Sequence, residues 1–222
     1  MYQFDFGTLW EYRSDLLLGA WLTVYLTVLA SAIGFAAATV LVLIRMQGPK
    51  PLRWLVITYV EIIRNTPFLV QIFFVFFGLP VLGLRLSAGN AALLAMTVNV
   101  TAYTIEILRA GIGSIDRGQV EAGTALGLGP LKIFRYVVIR PAIRNIYPAL
   151  TSQFILLMLT SSVVSAISAN DLTSAANQIS SLTFRNFEAY IIATGIYLAL
   201  AASFAVIFAA ISRAAFSYPL HR

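Results

Sequence analysis

Apolar residues in this chain gather into five long runs, about Leu16 to Ile44, Thr66 to Gly83, Ala88 to Leu108, Tyr147 to Ile167 and Phe187 to Ile211. Each is near or above the roughly 20 residues that a helix needs to cross a bilayer. The runs lack two-residue alternation, which argues against membrane strands. The pattern predicts an all-α integral membrane protein with one transmembrane domain over 1–222 and five spans, at about 16–44, 52–83, 88–112, 143–167 and 187–213. The second element is longer than its apolar run. Leu52 to Asn65 is amphipathic, and Pro67 should kink or restart the helix there.

Polar segments separate the runs. Gln47 to Pro51 is a turn rich in breakers, Leu79 to Gly89 closes the second element, and Ser168 to Arg185 is too polar for lipid and predicts a loop with a short helix. The longest polar stretch, about 114–141, is punctuated by glycine and reads as two short helices. Asp116 with Gln119 three residues on resembles a capping box, with a helix running to about Leu126. Gly127 and Gly129 suit positive-φ positions, and Pro130 suits the first position of the next helix. Spacing alone leaves two readings, a helical hairpin on the bilayer surface and a surface offered to a partner.

Composition removes other classes. With 59% hydrophobic residues, 11% charged residues and a mean hydropathy of +0.85, the chain cannot be an ordinary soluble domain. The first run begins after acidic residues and is long and free of charge, so it reads as a retained span rather than a cleaved signal. The absence of cysteine excludes disulfides and thiolate metal sites, and His221 alone argues against a histidine-based metal or catalytic centre. A net charge of +6 raises nucleic acid as a partner, but the distribution points to a membrane. Arg45, Lys50 and Arg53 fall in the first loop, Arg109, Arg117, Lys132, Arg135, Arg140 and Arg144 in the third, and Arg213 and Arg222 in the tail. Only Arg13, Arg85 and Arg185 fall on the other side. The positive-inside rule then predicts an outside N-terminus, a cytoplasmic C-terminus and a cytoplasmic 114–141 loop.

That loop resembles the one by which permease subunits of bacterial ABC importers dock on their ATPase, which reads Glu-Ala-Ala, three residues, Gly, nine residues, Ile, one residue, Leu-Pro. Glu121, Ala122, Gly127, Val137 and Ile139 fall at those spacings. Gly123 stands where Ala is usual, at a helix-propensity cost of roughly 1 kcal/mol, and the proline comes one place late, with Arg140 in its slot and Pro141 after it. Two more stretches resemble the histidine/glutamine-type permeases for polar amino acids. One runs from Glu61 through Arg64, Thr66 and Pro67 to Gln71 and on to Phe77 and Pro80; the other holds Ala102, Tyr103, Glu106, Arg109, Gly111 and Ser114. Together the resemblance covers roughly 15–215. It implies the type I ABC importer permease fold, a coupling helix docking the ATPase through Glu121, Ala122, Gly123, Gly127 and Leu128, and a multi-pass place in the bacterial cytoplasmic membrane. It also implies a second permease subunit, identical or related, two ATPase subunits and an extracytoplasmic solute-binding protein. ATP and Mg would belong to the ATPase, since the chain has no Gly-x-x-x-x-Gly-Lys-Ser/Thr phosphate loop. No enzymatic activity and no cofactor are expected on the chain itself.

Ionisable groups at membrane depth cost a few kcal/mol, roughly, and so face a bundle interior or a cavity. Glu61 with Arg64, and Glu106 with Arg109, lie three apart on one helix face and read as ion pairs that fix packing. Asn99, Tyr103 and Glu106 form one stripe on span three. Either it lines a polar cavity, where Glu106 would bind an α-ammonium and Asn99 or Tyr103 a carboxylate, or it bonds helices together. Gln71, Thr160 and Ser161 complete the candidate path, although span hydroxyls more commonly bond carbonyls of their own helix. Many relatives carry Lys and a polar or acidic residue just before Thr-Ser, where this chain has Met158 and Leu159; the resemblance therefore leans away from lysine, arginine or histidine and toward a neutral or otherwise different solute. Trp10, Tyr12, Trp21 and Trp54 read as interface anchors, and Phe73 to Phe77 as lipid-facing or core packing. Two other functions are weighed: an ion-coupled secondary transporter using Glu106, which five spans without an inverted repeat disfavour, and a membrane scaffold whose loop recruits a soluble partner.

Overall fold

The computed structural model describes residues 4–216, and every regular element among them is helical. In chain order these are α1 Gly7–Trp10, α2 Arg13–Gln47, α3 Lys50–Arg64, α4 Phe68–Leu82, α5 Ala88–Gly113, α6 Arg117–Ala125, α7 Pro130–Ile167, α8 Leu172–Thr183 and α9 Asn186–Ala215. Helices α2, α5, α7 and α9 are long and apolar enough to cross a membrane, and α3 with α4 makes a fifth span if the bent pair is taken as one. His221 and Arg222 lie outside the described residues.

The bundle is organised around α5, the most enclosed of the long helices. Along α2 runs a single stripe, Leu16, Ala20, Thr23, Leu26, Thr27, Ala30, Gly34, Ala38 and Val42, buried at helical spacing; its later part packs on α5, while Leu16, Ala20 and Thr23 meet the core of α8 and α9. Small residues dominate that stripe because lipid tails are as apolar as leucine, so helices associate through close backbone packing rather than through apolar burial. Gly34 marks the closest approach. A Cβ there would run into Val100 of α5, and Thr101 donates its hydroxyl to the Thr97 and Gly34 carbonyls, at 2.7 and 3.4 Å. Three cores lie along α2: one with α1, α8 and α9, one with α4, α5 and α7, and one with α3 and α5.

The second element breaks and restarts at Pro67, one of the two outcomes expected of that proline. Helices α3 and α4 are bent by 111° at the break, somewhat past a right angle. Thr66 precedes a proline and is pushed out of the helical region, while Pro67 itself is extended and opens α4. Helix α4 then passes through a π-helical turn at Phe74–Gly78 and ends in 3-10 geometry at Leu79–Leu82. Phe74 and Phe77 stay exposed while Phe76 packs on the core.

The fourth span differs from the expected one. No second short helix precedes a start near residue 143; α7 runs unbroken from Pro130 to Ile167. Gly129 is accordingly not at positive φ but extended, as the N-cap, with Pro130 in the first turn as expected. Pro141 offers no N–H to the Val137 carbonyl and would crowd it, yet the helix continues because Ile133–Ile139 winds as a π-helix just before it.

Within the 168–185 segment, Asp171 caps α8 by accepting from the Ser174 N–H at 2.8 Å and also takes the Tyr197 hydroxyl at 3.1 Å. Trp10, Trp21 and Trp54 are exposed, whereas Tyr12 packs on the α8–α9 core.

Candidate functional site

The break at Pro67 explains two of the candidate path residues. In a continuous helix the Ile63 carbonyl would accept from the N–H of residue 67, and proline has none. Gln71, on the first turn of α4, supplies the missing donor. Its Nε2 lies 2.7 Å from the Ile63 oxygen and 3.0 Å from both the Thr66 carbonyl and hydroxyl. Its Oε1 accepts from Asn99 Nδ2 of α5 at 2.9 Å, and both side chains are buried. Gln71 and Asn99 therefore hold the bend against α5, and their polar atoms are turned toward each other rather than into a cavity. Tyr59 adds a second tie, donating to the Val98 carbonyl at 2.6 Å.

One turn and two turns further along α5, Tyr103 and Glu106 meet a set of arginines. Glu106 pairs with Arg45 from the end of α2 and with Arg109, whose Nη2 and Nε lie 2.8 and 2.9 Å from Oε2. The Glu106–Arg109 pairing matches its sequence spacing. Glu61 and Arg64 do not pair. Glu61 accepts from Asn65 Nδ2 at 3.1 Å, and the Arg64 guanidinium instead lies over the Tyr103 ring, 5.5 Å from its centroid. The end of α3 turns Arg64 toward α5 while Glu61, one turn earlier, stays on the outer face.

Arg64 and Glu106 line a cavity of about 420 Å³ between α3, α5 and α7, together with Ser114, Asn145, Ile146 and Ala149. Asn145 donates to Ser114 Oγ at 3.1 Å, and Ser114 donates to the Gly111 carbonyl at 2.8 Å. Of the candidate path residues, Glu106 thus borders this cavity and Tyr103 underlies Arg64. Ser161 is fully buried and bonded to the Met158 carbonyl at 2.7 Å, and Ser162 bonds the Leu159 carbonyl. Thr160 sits half-buried at the C-terminal end of the regular α-helical part of α7, away from the cavity. Arg45 and Asn145 were not legible as site residues. Each lay in a segment whose charge or polarity had an ordinary topological reading, and only the packing of α2 and α7 on α5 brings them here.

The polar loop forms α6 and its junction with α7. Asp116 caps α6, accepting from the Gly118 N–H at 2.9 Å. At the other end the N–H of Leu128 bonds the Gly123 carbonyl at 3.1 Å and that of Gly127 the Thr124 carbonyl at 2.9 Å, which is a Schellman motif with Gly127 at φ +76°. Gly123 is buried. A Cβ there would lie 3.3 Å from Ile133 Cγ1 and 3.6 Å from Val137 Cγ2, so glycine lets α6 sit against the π-helical turn of α7. Glu121, Ala122 and Gly127 are exposed and Leu128 is half-buried. Leu126 and Leu131 stand out most, 80% and 78% exposed. Neither was singled out from sequence, because a lone leucine in a loop carries no pattern.

Known proteins resemble this chain in sequence and in fold. The chain is 38% identical over 180 residues to the "Probable glutamine ABC transporter permease protein GlnM" of Bacillus subtilis, covering 79% of this chain and 83% of that one. It is 36% identical over 186 residues to the arginine transport system permease protein ArtQ of the same organism, covering 83% and 85%. The crystal structure of an amino acid ABC transporter with histidines superposes with a TM-score of 0.89 at 38% identity, over 96% of this chain and 99% of that one. The MetNI methionine ABC transporter shares the fold at 22% identity, with a TM-score of 0.74 over 91% of this chain and 97% of that one. A family model matches residues 30–217, and the chain belongs to the binding-protein-dependent transport system inner membrane components.

Proposed function

We propose that this chain is the permease subunit of an ABC importer, carrying an amino acid or related polar solute across the bacterial cytoplasmic membrane with energy from a separate ATPase. The relatives are amino-acid permease subunits and not enzymes, and this chain takes the same role. The observation that carries the mechanism is the seating of α6 on α7: Gly123 packs on Ile133 and Val137, so a force on the exposed face of α6 reaches α7 without slack. Asn145 of α7 bonds Ser114 at the end of α5, so the same displacement reaches the polar cavity. ATP and Mg act on the partner. Their effect on this chain requires that its two states bind the partner's ATP-loaded form with different affinity, and α6 is where that difference enters.

In this reading the N-terminus lies outside, the C-terminus and α6 lie in the cytoplasm, and α3 with α4 counts as one broken span. Two permease chains, identical or related, pair above two ATPase subunits, and an extracytoplasmic solute-binding protein delivers the solute. The docking face comprises Glu121, Ala122, Leu126, Gly127, Leu128 and Leu131, and Gly123 serves from beneath. Glu106, engaged by Arg45 and Arg109, is poorly placed as the lone acid of a proton-coupled carrier.

The test is reconstitution with the ATPase and solute-binding protein in sealed vesicles. Uptake should need ATP inside and ignore ion gradients. Glu121→Arg and Gly127→Arg should insert normally yet lose ATPase binding and uptake; a normal complex and normal uptake in both variants would refute the docking assignment.

A further inference from the structure

We propose that the cavity between α3, α5 and α7 is a binding site for the main-chain end of an α-amino acid, with Arg64 receiving the carboxylate. This deepens the reading of the chain as an amino-acid importer and rests on it. The cavity, at about 420 Å³, falls within the roughly 300–1,000 Å³ of ordinary small-molecule sites. Its charged groups are not equivalent. Glu106, which sequence alone suggests as the ammonium receptor, is already held from two sides by Arg45 and Arg109. Arg64 forms no ion pair among the described residues, and its guanidinium carbon lies over the Tyr103 ring, 5.5 Å from the centroid. This ring contact uses none of the guanidinium N–H groups as donors, so they are left to donate.

An arginine so placed is a fork without its carboxylate. Guanidinium is weakly hydrated and matches a carboxylate with two parallel hydrogen bonds, which a lysine cannot reproduce. At membrane depth an unpaired cation faces a partner or a water-filled space, and Arg64 borders such a space. The same cavity offers an acceptor. Asn145 spends its amide N–H on Ser114, so its Oδ1 is left to accept from an ammonium group. One guanidinium for the carboxylate and one amide oxygen for the ammonium, on facing helices, recognise what amino acids have in common and leave the side chain unread. Selectivity among amino acids then falls to other surfaces.

The purified permease–ATPase complex, without the solute-binding protein, is dialysed against radiolabelled standard L-amino acids and against their methyl esters. Retained acids should bind at least about tenfold more tightly than their esters, because the ester loses the charge-assisted pair. Arg64→Gln should remove that preference by weakening the acid alone, Arg64→Lys should restore it in part, and Tyr103→Leu should weaken the acid more than Tyr103→Phe does. Equal binding of acid and ester by the unaltered complex overturns the proposal, whatever the variants do. So does retention of no amino acid by a complex that still carries out ATP-driven uptake when the binding protein is added. Absence of uptake with every partner present would instead strike at the importer reading itself.

Discussion

Gln71 stands in for a backbone donor that Pro67 cannot supply, and much of the second span's shape hangs on that one amide. Its Nε2 serves the Ile63 carbonyl and its Oε1 receives Asn99, so removing it strands polar atoms on two helices at once. A buried polar group without a partner costs about 1–3 kcal/mol. Gln71→Leu should therefore lower the denaturation midpoint of the detergent-solubilised protein by clearly more than Gln119→Leu, the same change at an exposed position of α6. An unchanged midpoint in Gln71→Leu would mean that the bend is held by Pro67 alone. Sequence marks Gln71 and Asn99 as polar residues at membrane depth, but their mutual bond depends on a fold in which α4 turns sharply away from α3 and packs on α5, and no local spacing encodes that. The Glu61–Arg64 pairing fails for the opposite reason. Three-residue spacing permits it, and the nearby Tyr103 ring offers Arg64 an alternative that the spacing cannot see.

Elements were more legible than residues, because a run of apolar residues reports its length directly. All five apolar runs correspond to helices, and the caps at Asp116 and the turn at Gly127 were readable from local chemistry. What escaped was continuity: Pro141 reads as a break, and only the wide turn before it makes one helix of Pro130–Ile167. The cap of α8 carries its own prediction. Burial pushes the Asp171 carboxyl above the usual range, more than the bonds from Ser174, Thr173 and Tyr197 draw it down. The folded state then binds this proton more readily than the unfolded chain, whose group titrates near about 3.9. Its contribution to stability is greatest below that value and falls as pH rises through the folded value. Asp171→Asn keeps a capping acceptor and loses the titration, so its stability between the two should be flatter against pH than that of the unaltered protein. A pH series of unfolding midpoints in detergent decides this, and parallel curves would speak against it.

Across the whole molecule, several polar side chains lie exposed in the isolated chain: Glu61, Asn65 and Thr66 at the break between α3 and α4, and Asn145 and Ser152 along α7. Lipid would not tolerate them, so they meet water or protein, whereas α9 is apolar and open nearly all round. The chain has no cysteine, which makes a clean labelling test available. Ser152→Cys should react with a water-soluble thiol reagent in the assembled importer, and Leu198→Cys on α9, 69% exposed in the single chain, should not. Equal reactivity at the two positions would remove the distinction between wet and lipid-facing positions. Which positions are wet could not be read from sequence, because the break in the second span decides where its polar turn ends up. The π-helical turn at Ile133–Ile139 has a last consequence of this kind. Each residue inserted into a helix rotates the remainder of that helix by about 100°, and the proline of this chain comes one place later than in the pattern it resembles. A wide turn takes up one residue without passing on that rotation. The end of α7 that seats Gly123 of α6 through Ile133 and Val137 thus keeps a register of its own, independent of the faces that α7 turns toward its neighbours further along, so the two ends of one rigid helix can be tuned separately.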